Sequence, residues 1–227
     1  MLNTLGWLAL LGMIVGAGAA WMRLVPALGG FVPFVLGGII SLIVAVLSLI
    51  QLVRGKGIGG GSMVALVGAA LLITAAVPGR GLPRINDFTT DLTDPPTFHK
   101  ALTFPANAAR DMDYPASFAE QQRACCADLA PMMLPLSREA AIGRVASTAA
   151  TMPNWRVTAT DPDAGTVEAV STTKLFGFQD DIVLRVRDSG DGKSRVDMRS
   201  KSRDGKGDLG ANAARIRAFM AALAAAK

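Results

Sequence analysis

The sequence predicts three transmembrane α-helices followed by an extramembrane α+β domain, whose antiparallel sheet of about four strands carries helices on one face. Three observations predict this architecture. The first third of the chain is made of long apolar stretches, and all 18 acidic residues lie after Gly79. After Pro153 the hydrophobic residues change from helical spacing to strict alternation, which is typical of strands.

The apolar stretches at residues 5–22, 31–53 and 58–77 contain no charged side chain, and Arg23, Arg54 and Lys56 lie just beyond their ends. A helix of about 20 apolar residues crosses the bilayer core, because lipid offers backbone groups no hydrogen-bond partner. A cleaved signal peptide is the alternative for the first stretch. The positive charge of a signal peptide is missing from the N-terminal MLNT, and two further stretches follow, which favours an uncleaved anchor.

The charges around the predicted spans indicate their orientation. Arg54 and Lys56 lie between the second and third spans, and cytoplasmic loops are enriched in such residues. We therefore expect a multi-pass membrane protein with its C-terminal domain outside the membrane, in a periplasm-like space. Arg80 and Arg84, directly after the third span, argue for the opposite orientation.

Small residues recur at four-residue spacing in each predicted span, which lets helix backbones approach closely. Two interpretations are open: the three helices pack on one another, or one seam docks a partner subunit. The interiors of the spans hold no ionisable residue, so a transporter or pump is not expected. The seam residues are Gly12, Gly16, Gly37, Ser41, Gly61 and Ala65.

The predicted domain organisation has three parts. Residues 1–79 form the transmembrane region, 80–100 a polar, proline-rich linker and lead-in segment, and 101–227 the α+β domain. Within the domain, Ser137 is a good N-cap and Asp208 begins a closing helix. The predicted elements are helices at 114–129 and 138–152, strands at 155–160, 166–173, 181–187 and 195–202, and the closing helix.

Alternation along the last two predicted strands separates a core face from an opposite face rich in arginine. Ile182, Leu184 and Val196 point toward the core, which leaves six cations and two acids on a face that we expect to be in contact with water. The cations are Arg185, Arg187, Arg195, Arg199, Lys201 and Arg203.

Two interpretations of this basic face stay open. One is a cross-strand ladder of salt bridges that keeps the sheet soluble. The other is an anion- or partner-binding site, to which Asp208, Asn212 and the nearby helix start contribute, and whose ligands are membrane lipids or an acidic partner in a membrane complex. Nucleic acid is not expected, because no aromatic residues alternate with the cations.

Four motifs occur in an order that resembles a known bacterial family: INDFTTDLTDPP, DDIVLRV, SRVDMRSKSR and DLGANAARIR. Over residues 85–223 the chain resembles the domain of unknown function 1499 (DUF1499). The resemblance implies a membrane-associated envelope protein without an established activity. Many members carry a CVSS-type cysteine motif near the start of the domain, where this chain reads PPTFHKA.

The residues that most often carry catalysis are scarce. His99 is the only histidine, and Cys125 and Cys126 are adjacent on a predicted helix, a spacing that matches no redox or zinc motif. We expect small buried cysteines and no catalytic residue, metal site or cofactor. The sequence thus predicts a non-enzymatic accessory or binding protein. The alternative is an envelope enzyme that uses Asp208, Asn212 and the arginines on a phosphorylated or other anionic substrate.

Overall fold

The computed structural model describes residues 1–226, apart from the side chain of Pro78. The chain divides into two compact units. The first consists of residues 1–80 together with the loop 173–178, and the second of residues 81–172 and 179 onward. The predicted order of three N-terminal helices and a C-terminal α+β domain is confirmed.

The first unit contains α1 (Leu2–Trp21), α2 (Ala27–Val53) and α3 (Gly60–Ala76). Two of these helices, α1 and α2, are long and apolar enough to cross a membrane, whereas α3 has 17 residues and is shorter. Their buried residues are mostly Gly, Ala and Ser, so small side chains form the contacts between the helices. The hydroxyl of Ser48 donates to that of Ser62 at 2.8 Å between α2 and α3.

The second unit contains three α-helices and a six-stranded antiparallel sheet. The helices are α4 (Ala116–Cys126), α5 (Arg138–Thr151) and α6 (Ala211–Ala225). The strands are β1 (Asp87–Thr89), β2 (Met132–Leu134), β3 (Trp155–Asp161), β4 (Thr166–Thr172), β5 (Gln179–Asp188) and β6 (Ser194–Ser202).

The sheet has six strands instead of the four predicted. The four long strands form the expected meander in the order β6-β5-β4-β3, and β1 and β2 both pair with the free side of β6. The two added strands have three residues each, too few for an alternating pattern to be recognised. Residues 80–100 were expected to be a linker, but from Gly81 onward they are part of the domain, since Ile85 and Phe88 are fully buried.

The main hydrophobic core lies between the sheet and the helices α5 and α6. Ser137 caps α5 as predicted, its hydroxyl accepting from the amide of Ala140 at 3.4 Å. The rings of Trp155 and Phe219 stack with their centroids 5.5 Å apart. This packing explains the apolar residues at alternate positions of β4, β5 and β6.

The opposite face of the sheet was expected to be in contact with water, and this expectation is wrong. The irregular segment 90–114, which we call the cover segment, lies over it and contributes Phe98, Ala101 and Met112 to a second small core with Val183. The cover segment contains short 3₁₀ turns and no long helix or strand, so its sequence has no periodicity that would predict packing on a sheet.

Candidate functional site

The arginine-rich face of β5 and β6 is enclosed between the sheet and the cover segment. All six predicted cations lie on this face, and each is in an ion pair with an aspartate of the same chain. Five carboxylates are involved, which leaves the face almost neutral. We call these residues the charged layer: Arg185, Arg187, Arg195, Arg199, Lys201 and Arg203 with Asp87, Asp91, Asp94, Asp181 and Asp197.

The most deeply buried part of the charged layer is centred on Asp87 of β1. Arg199 donates from Nε and Nη2 to the two carboxylate oxygens at 3.0 and 2.8 Å, and Lys201 Nζ donates to Oδ2 at 2.9 Å. Arg199 is 1% exposed. Its remaining donors reach the carbonyl oxygens of Pro96 at 3.2 Å and Met112 at 2.8 Å. A guanidinium so fully bonded ties the cover segment to the sheet.

A second buried pair joins Arg203 to Asp181 of β5. The guanidinium donates to both carboxylate oxygens, at 2.9 Å from Nε and 2.6 Å from Nη2, and it lies over the ring of Phe104. The amide of Asn107 donates to the same carboxylate at 2.9 Å. Both Phe104 and Asn107 belong to the cover segment, so this pair also fastens it.

The outer end of the charged layer is a network of three arginines and three aspartates. Arg187 Nη2 lies 3.1 Å from Asp91 Oδ2 and 2.8 Å from Asp197 Oδ2, and Arg195 Nη2 lies 2.6 Å from Asp91 Oδ2. The side chains of Arg187 and Arg195 are 38% and 33% exposed. They are the part of the predicted basic face that solvent reaches.

The pKa shifts follow from this pairing. Burial alone would raise the pKa of Asp91, but hydrogen bonds from the amides of Asp94 and Thr93, together with Arg195 and Arg187, outweigh it and lower the pKa. Burial opposes the charged form of Arg187, and the carboxylates around it, Asp197 first, more than compensate and raise its pKa. Both groups are therefore held in their charged forms.

Glu168 of β4 fixes the middle of the cover segment. It is 2% exposed, and its carboxylate accepts from the backbone amides of His99 and Lys100 at 2.7 Å and of Ala101 at 2.8 Å. These amides lie at the start of a 3₁₀ turn, where they have no partner within the turn itself. Glu168 thus acts as the N-terminal cap of a turn that lies on the sheet.

Asp208 and Asn212 lie on the helix-covered face, so the sheet separates them from the charged layer. Asn212 is fully buried, and its side chain bonds Ser200 and Ser202 of β6 at 2.6 and 2.8 Å. Asp208 accepts from the amides of Gly210 and Asn212, while burial raises its pKa. The predicted N-cap is displaced to Gly210, because Leu209 and Gly210 adopt left-handed backbone angles.

Most residues of the predicted helix seams face the interior of the first unit. Gly16, Gly37, Ser41, Gly61 and Ala65 are buried between the helices. A Cβ at Gly37 would collide with the backbone of Ala9 and the side chain of Met13. Gly12 differs from these residues, since a Cβ there would meet no atom within 4 Å.

The structure also places the residues that suggested catalysis. Cys125 and Cys126 are joined in a disulfide at the end of α4, which the sequence reading did not expect because neighbouring cysteines seldom bridge. The ring of His99 lies 3.5 Å from the hydroxyl of Thr97. Within the part of the chain that the structure describes, no group of three or more His, Cys, Asp or Glu side chains could hold a metal ion.

Sequence reasoning missed the partners of the charged layer. Asp87, Asp91 and Asp94 stand in the polar lead-in segment, where they match no metal-binding spacing. The available signal was numerical: three acids stand near the start of a domain whose last two strands have four more cations than acids on one face. Buried cations require such partners, because an unpaired buried charge is very unfavourable.

The fold and the charged layer define a class: a protein with apolar N-terminal helices and an α+β domain whose charged sheet face is closed by its own chain. The family model described as protein of unknown function (DUF1499) matches residues 87–223. The chain belongs to this family. No curated protein and no solved structure matches the chain.

Proposed function

We propose that the protein is a non-enzymatic accessory protein of the bacterial inner membrane, which acts by docking on a membrane protein complex. The pairing of the strand-face cations with carboxylates of the same chain carries this proposal. A site for a phosphorylated substrate needs donors that are free to bind the charge developing in the reaction. Paired arginines instead stabilise the domain, and docking on another protein does not need donors that are free for a developing charge.

Three transmembrane spans are part of the proposal. The 17 residues of α3 and the 3₁₀ turn Val77–Gly79 that follows have a combined length of about 30 Å, enough for the hydrocarbon core of a bilayer. Gly61 and Ala65 of α3 are buried in the same unit as α1 and α2, which supports a third span beside the first two.

A periplasmic domain is the orientation that we propose. Arg54 and Lys56 in the connection between α2 and α3 favour a cytoplasmic position for that connection. With three spans, the domain then lies on the other side of the membrane.

Two surfaces are available for docking. A Cβ at the seam residue Gly12 of α1 would meet no atom within 4 Å, and a partner helix could approach closely there. The half-exposed Arg187 and Arg195 could meet an acidic partner or, as the second candidate ligand, the headgroups of anionic lipids.

Purification of the tagged full-length chain from native membranes in mild detergent tests the proposal. A second membrane protein recovered at fixed stoichiometry is the expected result, and Arg187→Gln should weaken its recovery more than Arg217→Gln, which alters an exposed pair with Asp128. A lone chain that hydrolyses phosphate esters would contradict the proposal and favour an envelope enzyme acting on an anionic substrate.

A further inference from the structure

The loop 173–178, which joins β4 to β5, belongs to the same compact unit as the apolar helices. Arg23, just after α1, holds it there: Nη2 donates to the carbonyl oxygens of Thr173 at 3.3 Å and Lys174 at 3.2 Å. The same guanidinium donates from Nη1 to Ala20 of α1 at 3.0 Å. One side chain thus connects the end of α1 to the loop 173–178.

The backbone of Arg23 is in an unusual conformation that serves this contact. Its φ is 59°, in the left-handed region that ends many helices and that usually holds glycine. The amide of Arg23 bonds the carbonyl oxygen of Ala20 and that of Leu24 bonds Ala19, which completes the helix end. Glycine would form this turn with less strain, but it has no guanidinium to bind the loop.

Aromatic rings make a second contact, which joins the loop to α2. The ring of Phe176 lies edge-on to Phe31 at 5.2 Å and to Phe34 at 5.4 Å, and Phe178 lies 5.3 Å from Phe31. Such edge-to-face pairs hold rings in fixed positions. Gly177, with φ 78°, separates the two loop rings, and a Cβ there would collide with the guanidinium of Arg23.

Helix lengths locate these contacts at the boundary of the bilayer. The 20 residues of α1 measure about 30 Å, the thickness of the hydrocarbon core, so Trp21 falls at its edge, where tryptophan is enriched. The 27 residues of α2 measure about 40 Å and exceed the core by about 5 Å at each end. Phe31 lies about 6 Å from the start of α2, so it also falls at the edge of the hydrocarbon core.

We propose that the loop 173–178 is a membrane-interface element that inserts Leu175 into the headgroup zone of a phospholipid bilayer, with Lys174 beside the lipid phosphates. Leu175 is 45% exposed and Lys174 is also exposed, whereas the rings of Phe176 and Phe178 are turned onto α2. The inference rests on the proposed membrane spans and adds a contact that no span provides.

The charges at this end of the unit agree with lipid phosphate as the ligand. Neither residues 1–80 nor the loop contain an acidic residue, so Arg23 and Lys174 have no carboxylate partner within the unit. Trp21 and Leu24, on either side of Arg23 in the chain, are also exposed. Exposed apolar side chains combined with cations are the composition of segments that bind at the interface of a membrane.

An environment-sensitive fluorophore on single cysteines tests the proposal in the full-length chain, with Cys125 and Cys126 replaced by alanine. The labelled chain is placed in phospholipid nanodiscs that carry nitroxide quenchers near the headgroups or deep in the acyl chains. We expect headgroup quenchers to reduce the fluorescence of Leu175→Cys far more than that of Leu102→Cys, an exposed leucine of the second unit.

A probe at Ile43, an exposed side chain near the middle of α2, tests the membrane spans separately from the interface proposal. Deep quenchers should quench this probe if the helices span the bilayer. Quenching at Ile43 with none at Leu175 would overturn the interface proposal alone, and absence of quenching at both would overturn the spans as well. A blue-shifted probe at Leu175 that lipid quenchers do not reach would mean that protein covers the loop, which also contradicts the proposal.

Lys174→Glu is the second variant, with Lys206→Glu at an exposed lysine of the second unit as its matched control. Repulsion between the new carboxylate and lipid phosphates should reduce headgroup quenching at Leu175, and the Lys206 variant should leave it unchanged. Equal quenching in both variants would overturn the contact assigned to Lys174.

Discussion

At the scale of single residues, the arginine-rich strands show that side-chain direction does not determine exposure. Alternation correctly assigned Arg199 and Lys201 to the face opposite the core, and both nevertheless are buried beneath the cover segment. Their burial is possible because Asp87 accepts from both cations. Removing one member of a buried ion pair leaves an uncompensated charge, which costs more than the pair itself contributes.

Asp87→Asn should therefore destabilise the second unit strongly. Loss of the carboxylate that pairs with two buried cations should lower the free energy of unfolding by about 3–5 kcal/mol. Asp128→Asn is the matched control, since Asp128 and Arg217 form a pair at the surface, and its loss should cost at most about 1 kcal/mol. Chemical denaturation of the two variants in detergent measures the difference, and equal losses would contradict a structural role for the charged layer.

The lowered pKa of Asp91 predicts that part of the stability of the second unit is lost in acid. Its pKa is lower in the folded protein than in the unfolded chain, so its contribution is complete above the unfolded pKa of about 4 and is lost as the pH falls through the folded pKa. We expect the midpoint of unfolding of the wild type to decrease when the pH is lowered below 4. In Asp91→Asn this acid dependence should be smaller, with lower stability at neutral pH. An identical pH profile for both proteins would argue against the assignment.

At the scale of elements, the cover segment is the feature that most changes the interpretation of the sequence. Its backbone bonds Glu168 and Arg199, and the side chain of its Asn107 bonds Asp181, instead of regular backbone pairing with a strand. It converts a face that alternation predicts to be in contact with water into the interior of the domain.

Glu168→Gln should release the cover segment locally. The glutamate accepts from three backbone amides, and a neutral side chain would bind them less strongly. We expect hydrogen exchange at residues 99–101 to accelerate about tenfold, which corresponds to about 1.4 kcal/mol. Glu120→Gln, at an exposed position of α4, is the control. Unchanged exchange at residues 99–101 would mean that Glu168 does not hold the segment.

The helix seams give a prediction for the first unit. Gly37→Leu places a side chain against the backbone of α1 and should destabilise the packing of the helices by about 1–3 kcal/mol. At Gly12 a Cβ meets no atom within 4 Å, so Gly12→Leu should leave the stability of the unit unchanged. Thermal unfolding in detergent distinguishes the two, and a larger loss at Gly12 would contradict the arrangement of the helices.

The sequence was most informative where a pattern is long enough to repeat. The three apolar helices, α5 and the four long strands were all predictable, because periodicity and capping residues such as Ser137 specify them. The short strands β1 and β2 and the cover segment were not predictable, since they are stabilised by distant partners such as Arg199. The composition of the charged layer was half predictable: the cations followed from alternation, but Asp87 did not.

At the scale of the whole molecule, the chain combines an apolar unit that carries no acidic residue in its first 80 positions with a domain that neutralises its own charges. Membership of the DUF1499 family agrees with the resemblance seen in the sequence and assigns no reaction. The function that we propose, docking on a membrane complex, depends on surfaces rather than on a catalytic centre.

The mass of the assembly that contains the protein, extracted from native membranes in polymer-bounded discs without detergent, tests this claim most directly. We predict a defined assembly that contains the chain and a second membrane protein at constant stoichiometry, and Asp128→Asn should leave that assembly intact. A mass that corresponds to the single chain with lipid alone, together with hydrolysis of a phosphorylated substrate by that chain, would contradict the account.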